Sequence, residues 1–228
     1  MLKSTTVFLL LLITGAYCSA QHFNYERDYK NLLARTRLPN DALHYNKLLS
    51  RFRSNDKTLT VYEILCLMIG YTGTPNYRPY QYIKTERRIK ELNDKEQYTE
   101  VLKACDTFLT VHPLSQQAII EKAYAHHKLK QTDSAVFYKE QFARIMAAMD
   151  WSNDGRTPET AMFAVGQYDG ENFIDKYYHA DLGRDGSAED KDGNLCDKLE
   201  MKFRKGGEEQ SVTFYFIIQH AVNTQQSE

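Results

Sequence analysis

Residues 149–165 read MDWSNDGRTPETAMFAV, and they lie where the pattern of the chain changes. Two chemistries fit them. By spacing, Asp150, Ser152 and Asp154 stand at positions one, three and five of a calcium loop, with Gly155 at six. Such a loop also needs an oxygen ligand at nine and a bidentate acid at twelve. Those positions hold Pro158 and Ala161. Two carboxylates and a hydroxyl are too few oxygen ligands to hold the ion tightly. By turn chemistry, Asn153-Asp154-Gly155 ends one helix. Thr157 then reads as an N-cap, with Pro158 in the first helical position and Glu159 in the first turn, where the helix dipole favours an acid. The stretch is read as a hinge of architecture, and Asp150, Ser152 and Asp154 remain only a weak metal candidate.

Upstream of the hinge the period is helical. PNDALHYNKLLSRF, 39–52, puts Leu43, Tyr45, Leu48, Leu49 and Phe52 on one stripe. TVYEILCLMIG, 60–70, opens with Thr60 and Glu63 at capping-box spacing and closes on Gly70 as a C′ residue. YTGTPNYRPYQY, 71–82, carries two prolines and a glycine and reads as a loop. Three or four helices follow over 84–149. Val101, Leu102 and Phe108 recur as Ala135, Val136 and Phe142, an offset of 34 residues, the tetratricopeptide period. Ala118 and Ala125 lie on the intervening helix, where small side chains let helices approach closely.

Downstream the period falls to two. TAMFAVGQY and ENFIDKYY flank Asp169-Gly170, a two-residue hairpin signal. DLGRDGSAEDKDGN, 181–194, is polar and acidic and reads as a solvated loop. DKLEMKF and SVTFYFIIQHA flank RKGGEEQ as a second hairpin; Leu199, Met201 and Phe203 alternate to one face, as do Val212, Phe214, Phe216 and Ile218, so one face of the sheet is buried. Helices first and strands second predict an α+β chain: an N-terminal, tetratricopeptide-like helical bundle, 21–150, and a C-terminal antiparallel four-stranded sheet, 151–228, packed on it as one unit over 21–228.

Residues 1–20 read as a signal peptide: Lys3, then the apolar run Val7–Ile13, then Cys18-Ser19-Ala20 before Gln21. Cleavage after Ala20 predicts an exported protein, periplasmic or secreted. A lipid anchor on Cys18 fits less well, because Tyr17 and Gly15 stand where a small and an aliphatic residue are preferred. No later run approaches the ~18 apolar residues of a membrane helix. Of 29 basic residues only Lys3 precedes Gln21, so 28 face 30 acidic ones and no global field draws nucleic acid. Cys66, Cys105 and Cys196 are too few for a disulfide framework. Buried free thiols are expected, with a Cys66–Cys105 bridge as the alternative.

YNKLLSRFRSNDKTLTVYE, GYTGTPNYRPY and DWSNDGRTPETAMFAV, in that order and before a strand-rich tail, resemble domain-of-unknown-function family 4919, exported proteins of Bacteroidota. The likeness runs from about Tyr45 to Phe216. It implies export and a one-piece architecture, and it implies no reaction. The chain departs from the family's commonest form in carrying LMIGY, 67–71, where a YYGY-like run is usual, so no role of those tyrosines carries over.

Local catalytic signatures are absent: there is no HExxH, CxxC, P-loop or GxSxG. His126 and His127 are adjacent on a helix and share no face. Asp185, Asp190 and Asp192 form a second weak cation candidate. No catalytic residue and no cofactor is assigned. Tyr71, Tyr77, Arg78 and Tyr80 are the candidate partner-binding residues, since exposed tyrosines give large contact area at low entropic cost. The expected function is a non-enzymatic binding or assembly module of the cell envelope with a peptide, protein or glycan partner. The alternative is an envelope hydrolase whose site assembles only in three dimensions.

Overall fold

A computed structural model gives the protein's structure over residues 23–225. The expected signal segment and Cys18 lie outside the described residues. Seven helices come first: α1 (Tyr25–Arg37), α2 (Tyr45–Arg53), α3 (Val61–Thr72), α4 (Ile83–Asp94), α5 (Tyr98–Val111), α6 (Gln116–Lys128) and α7 (Thr132–Ser152). Their ends have chemical causes. Asn24 accepts from the Arg27 backbone N–H to cap α1, and Ser115 does the same for α6 through Ala118. Thr60 and Glu63 form the reciprocal capping box that their spacing predicts. Gly70, expected as a C′ residue, instead lies inside α3, and Gly73 is the cap. The bare backbone of Gly70 lets α1 approach, because a Cβ there would sit 3.0 Å from Thr36 Cβ.

Helix α3 is apolar all round, and Ile64–Thr72 are all buried. It packs against α1, α2 and α7 as the central helix of the bundle. Helices α5, α6 and α7 are successive neighbours. Phe108 and Phe142, one repeat apart, are both buried, whereas Val136 is exposed. Ala118 and Ala125 are fully buried where α6 meets its neighbours. Cys66, Cys105 and Cys196 are free and buried. Among the described residues no helix is long and apolar enough to cross a membrane.

The sheet follows, in the order β1-β4-β3-β2, with β1 (Met162–Phe163), β2 (Asp181–Glu189), β3 (Leu195–Lys205) and β4 (Glu208–Ile217). Three strands run antiparallel, and β1 pairs with β4 in parallel, so the sheet is mixed. Gly206 and Gly207, both at positive φ, turn β3 into β4. Two expectations are corrected. Asp169-Gly170 is not a hairpin turn. The buried Asp169 carboxylate accepts from the Val165 and Gly166 backbone N–H groups at 2.7 and 2.9 Å, and the chain enters α8 (Asp169–Asn172) and a wide helical turn over Phe173–Tyr177. Residues 181–194 are not all loop. They form β2, an edge strand exposed along most of its length, and a turn in which Asp190 accepts from the Asp192 and Asn194 backbones. Charge on an edge strand discourages stray pairing and hides its periodicity.

The hinge joins the two halves. Ser152 Oγ donates to Met149 O and accepts from Phe163 N–H at 2.9 Å. Asn153 Nδ2 donates to Phe23 O, and Phe23 N–H to Ser152 O. Gly155, at φ +65°, accepts from Tyr215 N–H, and Thr157 caps the short turn Pro158–Thr160 as its sequence predicts. Beyond β1 the ladder is completed by side chains. Tyr77 OH donates to Val165 O at 2.6 Å, and His220 Nε2, from α9 (Gln219–Gln225), donates to Ala164 O at 2.7 Å. The His220 ring stacks on Phe163.

Close by are two buried acids. Glu86 accepts from Ser115 Oγ at 2.6 Å, and burial pushes its carboxyl up to about 8. Burial raises Asp169 to about 7, and the Asp169 charge adds to the rise of Glu86. Burial lowers His220 to about 3.

Two outcomes follow from this packing. A Cβ on Gly170 would lie 2.7 Å from Leu199 Cδ1 and 2.8 Å from the Phe216 ring, whereas one on Gly186 meets nothing within 4 Å. Urea denaturation should show Gly170→Ala destabilised by about 1–3 kcal/mol and Gly186→Ala unchanged within about 0.5 kcal/mol. The raised acids hold protons in the folded state that the unfolded chain has already released. Their contribution is complete below the unfolded values of 3.8 and 4.5 and is lost as pH rises to about 7 and 8. The His220 contribution runs the other way and is largely complete by its unfolded value of 6.5. Stability measured in urea should therefore fall by about 2 kcal/mol from pH 6.5 to 8, and the double variant Glu86→Gln, Asp169→Asn should flatten that slope.

Candidate functional site

Helix α1 carries Arg27, Asn31 and Arg35 at four-residue spacing, so they line one face. Asp28 beside them accepts from Arg27 Nε and from Arg27 Nη2, both at 2.6 Å, and from Asn24 N–H. The Arg27 guanidinium holds the Asp28 carboxyl below the usual carboxylate range. Arg35 makes the same two-pronged contact with Asp41, at 2.9 and 3.1 Å, and lowers that carboxyl too. Opposite stand Tyr62, in the first turn of α3, and Trp151, in the last turn of α7. Their rings meet edge to face at 5.8 Å and 62°. Trp151 is 43% and Tyr62 37% exposed, although both are large aromatics. Phe23, Leu32 and Leu65 form the floor. The result is a cleft of about 240 Å³ with an aromatic wall, an apolar floor and a rim of planar polar groups. Beneath it Cys66 is fully buried, and burial pushes its thiol up to about 12.

A second groove, of about 280 Å³, lies between α2, α5, α6 and α7. Lys122 Nζ donates to Asp106 and to Tyr138 OH, and lies 4.1 Å from the Tyr138 ring centre. Arg53 Nη2 donates to Thr110 O. The first cleft presents two exposed large aromatics, Tyr62 and Trp151, and is the better candidate.

The residues singled out from the sequence lie elsewhere. Tyr71 and Tyr77 are buried and meet edge to face at 5.5 Å. Tyr71 OH bonds His112 Nδ1 at 2.9 Å, and Tyr77 OH holds Val165 O. Arg78 Nη1 donates to Tyr77 O, and Tyr80 is half-buried against the core. Tyr71 thus belongs to the end of α3 and Tyr77 to a packed loop after it, and these two buried tyrosines offer no recognition surface. Nor does the calcium set converge. Ser152 is fully buried with its hydroxyl engaged, and Asp154 Oδ1 accepts from Arg156 N–H in a local turn. Among the described residues no group of three or more His, Cys, Asp or Glu side chains could hold a metal ion, the Asp185, Asp190 and Asp192 candidate included.

Sequence reading passed over the cleft because its parts come from three helices far apart in the chain. One signal was present. Trp151 is the only tryptophan, and it stands among polar residues at a helix end, away from any apolar stripe.

No curated protein and no solved structure matches the chain. A family model described as a domain of unknown function, DUF4919, matches residues 30–227, which include Asn31, Arg35, Tyr62 and Trp151 of the cleft and begin after Arg27 and Asp28. With nearly its whole length matched, the chain belongs to the DUF4919 family.

Proposed function

We propose that the protein is a binding or assembly module of the cell envelope, exported by its N-terminal segment, which takes a peptide, protein or glycan partner into the cleft between α1, α3 and the end of α7. One observation carries this reading: the only tryptophan of the chain lies half-exposed over a cleft and is partnered there by a second exposed aromatic. Large aromatics left at the surface beside arginines mark the residue types that dominate binding energy at interfaces. They also bring contact area at little conformational cost.

Weight lies on binding rather than on hydrolysis. A nucleophile needs a base within reach and access to substrate. Among the described residues, Thr58 donates to Asp56 at 2.7 Å, but Arg51 holds that carboxylate well below the usual range and makes it a poor base, and Ser115 with Glu86 at 2.6 Å is buried. The Ser115 hydroxyl donates to the acid and caps α6, so it is committed to the fold.

The test is retention of solubilised envelope material on immobilised protein. Trp151→Ala should weaken retention by about tenfold to a hundredfold, the range of a hot-spot truncation, with an unchanged circular dichroism spectrum. Equal retention by both proteins would move the site elsewhere. Export has its own check. Intact-mass analysis of protein from the envelope fraction should show a chain beginning at Gln21. A diacylglyceryl mass on Cys18 would replace secretion by anchoring.

A further inference from the structure

We infer that the Tyr62–Trp151 cleft binds one sugar ring of a neutral glycan, the indole against a C–H face of the ring and the Arg27–Asp28–Asn31–Arg35 rim on its hydroxyls. This inference rests on the binding reading above and names its ligand. Three properties of the cleft select a sugar. The first is size. About 240 Å³ is below the ~300–1,000 Å³ of pockets that enclose drug-sized ligands, so the cleft admits a single ring or one side chain.

The second is charge. Arg27 is forked onto Asp28 and Arg35 onto Asp41, so each guanidinium already has its counter-charge. A phosphate or carboxylate ligand would have to displace those carboxylates and would meet Asp28 at the rim. A cationic ligand would meet the two guanidinium groups.

The third is the disposition of polar and apolar surface. The indole of Trp151, with Tyr62 set edge to face beside it, gives aromatic ring surface, and the rim offers guanidinium, carboxylate and amide groups, each planar and two-pronged. An apolar peptide side chain would satisfy the wall and take water from the rim without replacing its hydrogen bonds, at a cost of about 1–3 kcal/mol per group left unmet. A pyranose ring has both surfaces. Its axial C–H bonds form an apolar face, and its adjacent hydroxyls at the edge each donate and accept, which suits a two-pronged amide such as that of Asn31. Asn31 is exposed on the α1 face between Arg27 and Arg35 and supplies both a donor and an acceptor.

The chain has one tryptophan, so emission excited at the red edge of the indole band, beyond tyrosine absorption, reports on this cleft alone. The full chain is titrated with neutral gluco-, manno-, galacto- and N-acetylglucosamine oligosaccharides at millimolar concentration. The expected result is a saturable shift of Trp151 emission by at least one of them. Its affinity should be unchanged by added sodium chloride, because no ion pair forms. Calorimetry should show at least tenfold weaker binding to Asn31→Ala, a surface change outside the core, and no binding to Trp151→Ala. Three results overturn the inference. One is an emission shift produced by short peptides with an exposed aromatic residue and by none of the sugars. Another is binding that collapses with salt. The third is silence from every sugar. In each of these the binding reading stands if envelope retention still depends on Trp151, and it falls with the inference if retention does not.

Discussion

The backbone of residues 162–165 is buried before the sheet is wide enough to satisfy it, and the architecture follows from how that need is met. Strand β1 pairs with β4 over only two residues. Past Phe163, the Ala164 and Val165 carbonyls lie in the core, where an unmet acceptor costs about 1–3 kcal/mol. His220 and Tyr77 supply the missing donors, one from the C-terminal helix and the other from the loop after α3. Asp169 takes the Val165 and Gly166 N–H groups from below. Four residues of backbone thus gather the helical bundle, the loop 71–82, the sheet and the last helix around one point. No apolar contact could do this, because apolar packing tolerates sliding and a hydrogen bond at 2.6 Å does not.

The same device explains why the interior here is polar. Tyr71, Tyr77, Glu86, His112, Ser115, Asp169 and His220 would be a poor choice for stability alone, since buried ionisable groups cost free energy unless they are neutral and bonded. Burial opposes their charged forms: it raises both acids toward the neutral range and keeps His220 uncharged there. What they contribute is register. Donors and acceptors at fixed positions specify how the sheet sits on the helices, and stacked rings fill the space between them: Phe163 on His220, with Tyr29 and Tyr77 beside it.

How much of this was legible follows from the range of each interaction. A helical half followed by a strand-bearing half could be read, because amphipathic period and caps are local. The Thr60–Glu63 box and the Thr157 cap lie where spacing puts them. Asp169-Gly170 could not be read correctly, because the same two residues suit a hairpin turn and a helix start. What decides between them is a carboxylate bonded to backbone three and four residues upstream. Strand β2 was illegible for another reason: both its faces are wet, so it shows no alternation. The tyrosines of 71–82 were misjudged because a loop rich in Tyr and Pro looks the same whether its rings face water or a core acceptor. The cleft needed Arg27, Tyr62 and Trp151 together, and only the fold brings them together.

Trp151 joins the two subjects of fold and site. It stands next to Ser152, whose hydroxyl bridges Met149 O and Phe163 N–H. Neighbouring residues on a helix point about 100° apart, so holding Ser152 inward turns the indole sideways, toward α1 and α3. The Phe23 backbone, tied to Ser152 and Asn153, brings the start of α1 to the same place. The aromatic wall and the polar rim are therefore fixed by one set of bonds at the end of α7. A calcium loop would need the Ser152 hydroxyl for the ion. Here that hydroxyl fixes the last turn of the helix, and the hinge holds an aromatic wall in place of a metal.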